Sequence, residues 1–167
     1  MFERITNFFR PEDAQKKASV ALARLLSQYE MDGIAYRNEI TQSRRRSESK
    51  QLALGCWIIP FEVDRPQILD FTAVAPAVTY DMRRAGVGIL THNALGLKNF
   101  VIALPDKEGV WRFFECEKCH NSRIPGGWNL SGLRLLRLIE LEYREVQVFR
   151  DCIHEDVNVP VAAGWNG

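Results

Sequence analysis

From Leu52 to Glu140 the chain alternates, about every ten residues or so, between apolar β-rich runs and turn chemistry. The runs are Leu52–Glu62, Phe71–Tyr80, Val87–Thr91, Asn99–Leu104, Gly109–Cys119 and Trp128–Glu140. Between them stand Asp64-Arg65-Pro66, Arg84-Ala85-Gly86, Asp106-Lys107-Glu108-Gly109 and Pro125-Gly126-Gly127. Parallel strands need a crossover of a dozen or more residues, usually a helix, and these connections are too tight for one. The spacing therefore excludes a βαβ fold and predicts a mainly β domain, an antiparallel barrel or sandwich.

One segment resists assignment by pattern. Leu133–Leu141, "LRLLRLIEL", has helix-forming composition but follows directly on "GGWNLSG", which reads as a hairpin entering a strand. We assign it as the closing strand. Upstream, Pro11–Glu30 is a clear amphipathic helix, with Ala18, Ala21, Leu22, Leu25, Leu26 and Tyr29 at three-four spacing. Pro11 suits its first turn, Glu12 and Asp13 complement the positive end of its dipole, and Gly33 is a stop signal. Residues 32–50 lose hydrophobic periodicity and read as a connector. Glu142–Asp151 reads as a short helix, and "VPVAAGWNG" contains nothing that demands order. The expected organisation is a helix and connector over 1–43, a barrel over 44–150 and a flexible tail over 151–167.

Charge limits the function classes. With 22 Lys and Arg against 21 Asp and Glu, the formal net charge is +1. No large field of one sign exists to attract a nucleic acid polymer or a membrane surface, so anion recognition has to be local. No apolar stretch has the length of a bilayer span, and "MFERITNFFRPED" lacks the apolar core of a signal peptide. The expectation is a cytoplasmic chain whose four cysteines stay reduced.

Several motifs have to be weighed. Cys116–His120, "CEKCH", has the spacing of a c-type haem attachment site, but it continues an aromatic β pattern in a chain with no export signal. Cys116, Cys119 and His120 would supply three zinc ligands where a closed site needs four, and Cys56, Cys152 and His154 are scattered. No Gly-x-Ser-x-Gly elbow, phosphate-cradling glycine loop or His-Glu-x-x-His is present, and His92 has no evident partner. The expectation is a protein without catalytic, metal or cofactor chemistry.

Two further stretches suggest ligand binding. "SRRRSESK" concentrates Arg44, Arg45, Arg46 and Lys50 just before the first strand. Guanidinium forks bind phosphate oxygens bidentately and stack on aromatic bases, although a run this short also occurs as a solvated linker. "DMRRAGVGIL" then puts Asp81 at a strand end, before a tight turn that closes at Gly86. A carboxylate there can accept two hydrogen bonds from a guanine Watson–Crick edge.

Taken together, the two stretches resemble the signature of the PilZ domain, in which an Arg-x-x-x-Arg loop precedes a six-stranded barrel carrying Asp/Asn-x-Ser-x-x-Gly. The resemblance covers roughly Arg44–Glu140. It implies a six-stranded antiparallel, PilZ-like (split) β-barrel with an N-terminal α-helix, acting as a non-enzymatic receptor for the bacterial second messenger cyclic di-GMP. The ligand contacts it implies are Arg44, Arg45, Arg46, Lys50, Asp81, Arg83 and Gly86, with no cofactor beyond that ligand. The sequence departs from the family pattern at Lys50, where the family has arginine, and at Arg83, where it has serine. Lysine keeps the charge but loses the fork and the stacking face, so weaker binding is expected. PilZ-like domains with altered motifs also act as nucleotide-independent adaptors, and a protein partner or homodimer through the N-terminal helix stays open beside the receptor reading.

Overall fold

The computed structural model describes residues 11–30, 36–37, 50–66 and 68–157. Helix α1 (Pro11–Glu30) is followed by two short strands, β1 (Tyr36–Arg37) and β2 (Lys50–Gln51). Then come β3 (Gly55–Ile59), a 3-10 turn (Phe71–Ala73), β4 (Ala75–Arg83), β5 (Gly86–Thr91) and β6 (Asn99–Pro105). Strands β7 (Trp111–Arg123) and β8 (Asn129–Ile139) and helix α2 (Tyr143–Val157) complete the order.

All strand pairings are antiparallel. The strands run β4-β3-β6-β7-β8-β5, and the β4–β5 pairing returns the sheet to its start. The result is the expected six-stranded barrel preceded by a helix. Closure leaves no open edge among these six strands, which suits a sheet whose connections are mostly hairpins.

Two apolar layers explain the sequence texture. The barrel interior is filled by Ile58, Met82, Val87, Ile89, Phe100, Ile102, Leu104, Phe114, Leu133 and Leu135. Leu22, Leu25, Leu26 and Tyr29 of α1 join that same cluster, so the helix packs against the interior along β8. Polar bonds fix the helix at both ends: Gln15 Nε2 donates to Leu135 O (3.2 Å) and the Tyr29 hydroxyl donates to Pro105 O (2.8 Å). A second cluster lies outside the barrel, where α2 brings Phe149 and Ile153 onto Ile59, Val101, Ala103, Phe113 and Ile139. Strand β6 is therefore buried on both faces, and "FVIAL" has no polar alternation for that reason.

The boundaries differ from the sequence reading where local pattern was misleading. The run read as Leu52–Glu62 forms strand only over Gly55–Ile59, and the run beginning at Phe71 opens with a 3-10 turn. Strand β4 continues past Tyr80 to Arg83, and β7 continues past Cys119 to Arg123, because each pairs with its hairpin neighbour to the end. "LRLLRLI" is strand in spite of its helical composition, because it is paired to β7 along its length. Helix α2 continues to Val157, through the first residues of the segment read as a tail, and buries Ile153.

Candidate functional site

The band of interest crosses the outside of β4, β5, β8 and β7, on the part of the barrel away from α2. It begins at the β4–β5 hairpin. Arg83 pairs with Gly86, Met82 with Val87 and Asp81 with Gly88, leaving Arg84 and Ala85 as the turn. The register shifts between Thr79 and Asp81, so Tyr80 is an extra residue. In strict alternation from the buried Thr79, Asp81 would point inward and Met82 outward. The bulge reverses this: Met82 is fully buried and Asp81 reaches the outer face.

On that face Arg83 Nη2 and Nε both approach Asp81 Oδ2, at 3.0 and 3.2 Å. The Asp81 side chain is 15% exposed and that of Arg83 35%. The other carboxylate oxygen covers Gly88, where a Cβ would stand 2.1 Å from Oδ1. A Cβ on Gly86 would instead meet the carbonyl oxygen of Leu133, at 2.7 Å. One glycine thus admits the carboxylate, and the other admits the neighbouring strand.

Lys50 reaches the band through its backbone. It pairs with Met82, between Asp81 and Arg83, and on its other side with Arg37 of β1. The chain that follows is clamped by the buried Thr79, whose hydroxyl donates to Leu52 O and accepts from Leu54 N (2.8 Å). Arg44, Arg45 and Arg46 lie outside the described residues.

Across β8 and β7 the band continues with residues the sequence reading did not select. Gly86 pairs with Arg134 and Gly88 with Gly132, and these in turn pair with Glu117 and His120. Arg134 hydrogen-bonds Glu117, and Lys98 lies 3.4 Å from the same side chain. These two cations hold the Glu117 carboxyl below its ordinary range. The only local sign was "GVG", whose two glycines two residues apart share one strand face. Nothing near Arg134, Gly132 or His120 in sequence ties them to Asp81, because the link is register across three strands.

The structure separates the "CEKCH" residues. Cys116 is fully buried inside the barrel, and burial holds its thiol well above the ordinary value. Cys56, which interacts with it, is pushed from 9.0 to about 12, again by burial. Cys119 and His120 are exposed, so the three side chains do not converge. Among the described residues no three His, Cys, Asp or Glu side chains are grouped to hold a metal ion. His92 stands edge-on to Trp128 with ring centroids 5.7 Å apart, beyond the end of β5. Among the described residues no helix is long and apolar enough to cross a membrane.

No protein-family model matches the chain, and no curated protein matches its sequence. Among solved structures it is similar to the Bacillus subtilis inhibitor of motility (MotI/DgrA), with 13% sequence identity and a TM-score of 0.42. The match covers 71% of this chain and 54% of that one, so the chain spans about half the length of that protein.

Proposed function

We propose that this chain is a PilZ-like, non-enzymatic receptor that binds cyclic di-GMP on the outer face of β4 and β5. The observation that carries the reading is the anchoring of Lys50 against Met82. It brings the end of the arginine-bearing segment beside the Asp81–Arg83 pair. A ligand with two phosphates and two purines needs a few guanidiniums and one carboxylate, and a basic surface is not required. Arg44, Arg45, Arg46 and Lys50 hold phosphate and stack on guanine, Asp81 accepts from a guanine edge, and Gly86 keeps β8 close. Arg83 competes for one oxygen of Asp81 in the free protein and turns to a phosphate when ligand arrives. Calorimetric titration of the full chain tests this. Binding should vanish in Arg46→Ala and Asp81→Ala and persist in Arg24→Ala, a change on the exposed side of α1. No heat and no thermal shift at ~100 μM ligand would end the reading, since ligand well above its Kd stabilises the folded state.

A second reading, a nucleotide-independent adaptor, is favoured by apolar exposure on this same part of the barrel. Val78, Tyr80 and Trp128 are 37%, 42% and 42% exposed, and Leu90 and Leu130 beside them are partly buried. Association that light scattering still detects in Arg46→Ala would support it.

A further inference from the structure

The β7–β8 hairpin repeats the device that turns Asp81 outward. Glu117 pairs with Arg134 and Lys118 with Leu133, after which the register shifts and His120 pairs with Gly132. Cys119 is the extra residue. In strict alternation from the outward Glu117, His120 would face the interior, and the bulge sets it on the outer face instead. Two bulges on two hairpins thus deliver one carboxylate and one imidazole to a single row, Asp81–Gly88–Gly132–His120.

The two side chains approach each other over the central glycines. Asp81 Oδ1 occupies the space of a Cβ on Gly88. The nitrogen-bearing edge of the His120 ring occupies that of a Cβ on Gly132, with Cε1, Nε2 and Nδ1 at 2.0, 2.5 and 2.6 Å from its position. Gly88 and Gly132 are direct cross-strand partners, so the two groups stand over adjacent positions of neighbouring strands, whose Cα atoms are about 5 Å apart. Groups placed over adjacent glycines can each reach one atom on the same edge of a small planar ligand. No described residue hydrogen-bonds the His120 ring, whereas Arg83 is paired with Asp81, and Arg134 and Lys98 with Glu117.

We propose that His120 is a second reader of the nucleobase edge that Asp81 accepts, donating a ring N–H to guanine O6. The proposal rests on the cyclic di-GMP reading and adds its base specificity. Guanine presents N1–H and N2–H donors beside the O6 acceptor, and the row offers an acceptor, Asp81, beside a donor, His120. Adenine reverses the pattern, with an N1 acceptor beside an N6 donor, and meets a mismatch at both groups. A polar edge left unpaired in the complex is costly, so the pair disfavours adenine as well as binding guanine.

Calorimetric titration of the full chain with cyclic di-GMP and with cyclic di-AMP tests the assignment. His120→Ala should weaken cyclic di-GMP by about tenfold, the scale of one lost hydrogen bond, and narrow the guanine-over-adenine ratio. His120→Gln, which keeps a donor, should recover most of both. Gly132→Ala, which displaces the ring without removing it, should behave as His120→Ala does. A wild-type protein that binds cyclic di-GMP and a His120→Ala variant with the same Kd and the same ratio would overturn this assignment alone. No binding by the wild-type protein would overturn it together with the reading beneath it.

Discussion

Gly86 and Gly88 lie on the same face of one strand, yet alanine at the two positions should have different consequences. At Gly88 the obstructing atom is Asp81 Oδ1, the end of a flexible side chain, 2.1 Å from the new Cβ. The carboxylate can rotate away, and among what it gives up is its bond to Arg83. That pair is partly exposed, so it is worth about 0.2–1 kcal/mol. Replacing glycine by alanine within a strand returns roughly 0.5–1 kcal/mol of backbone entropy. The two contributions nearly cancel, and Gly88→Ala should shift Tm by no more than about 3 °C in either direction. At Gly86 the obstructing atom is a backbone oxygen, Leu133 O at 2.7 Å, held in the β5–β8 ladder. Strands must move apart, at the ~1–3 kcal/mol typical of overpacking; set against the same entropy gain, the net loss is up to about 2.5 kcal/mol and Tm should fall by up to about 10 °C. Thermal unfolding followed by circular dichroism measures both. Calorimetry on the same samples should show Gly88→Ala folded but deprived of cyclic di-GMP binding, because Asp81 is displaced. If Gly88→Ala unfolds at a lower temperature than Gly86→Ala, the distinction between yielding side chain and fixed backbone is wrong. If Gly88→Ala binds as the wild type does, the position of Asp81 over that glycine is irrelevant to the ligand.

Alkaline pH offers a separate check on the interior. Burial raises the Cys56 thiol from 9.0 to about 12, so the folded state retains a proton that the unfolded chain releases. This contribution is complete below pH 9 and is lost as pH rises toward 12, at up to about 1.4 kcal/mol per pH unit for one thiol. Urea unfolding between pH 7 and 11 should show stability falling above pH 9 and a shallower fall in Cys56→Val; equal slopes would refute it. Phe149 is fully buried, with ring centroids 5.4 Å from Trp111 and 5.2 Å from Phe113. Phe149→Ala should cost about 3–5 kcal/mol, and a Tm within a few degrees of wild type would mean that α2 contributes little to the barrel.

Local chemistry made much of this fold legible. Period, turn residues and the three-four spacing of α1 are short-range signals, and they produced a mainly β, antiparallel domain of about six strands and a helix that ends where expected; the choice of barrel over sandwich came from the resemblance. The hairpin turn at Arg84 and Ala85 was equally readable, since a two-residue connection needs only its own residues and the glycine after it. Strand composition alone would have misassigned "LRLLRLI", and the neighbouring "GGWNLSG" was needed to correct it. Of the proposed site, Asp81, Arg83 and Gly86 share one hairpin and were accessible for that reason. Arg44, Arg45 and Arg46 were chosen from charge and resemblance, and they lie outside the described residues.

What the sequence determined by itself was therefore an antiparallel β domain and one half of the band: a carboxylate, a guanidinium and a glycine within six consecutive residues. Only the tertiary structure decided which way those side chains face. A one-residue bulge at Tyr80 inverts the alternation and sends Asp81 outward and Met82 inward. It also decided the other half, since His120 and Gly132 meet Asp81 and Gly88 through cross-strand register. Register in a closed barrel is set by how all the strands satisfy their hydrogen bonds and apolar faces at once, and no short window of sequence contains that condition.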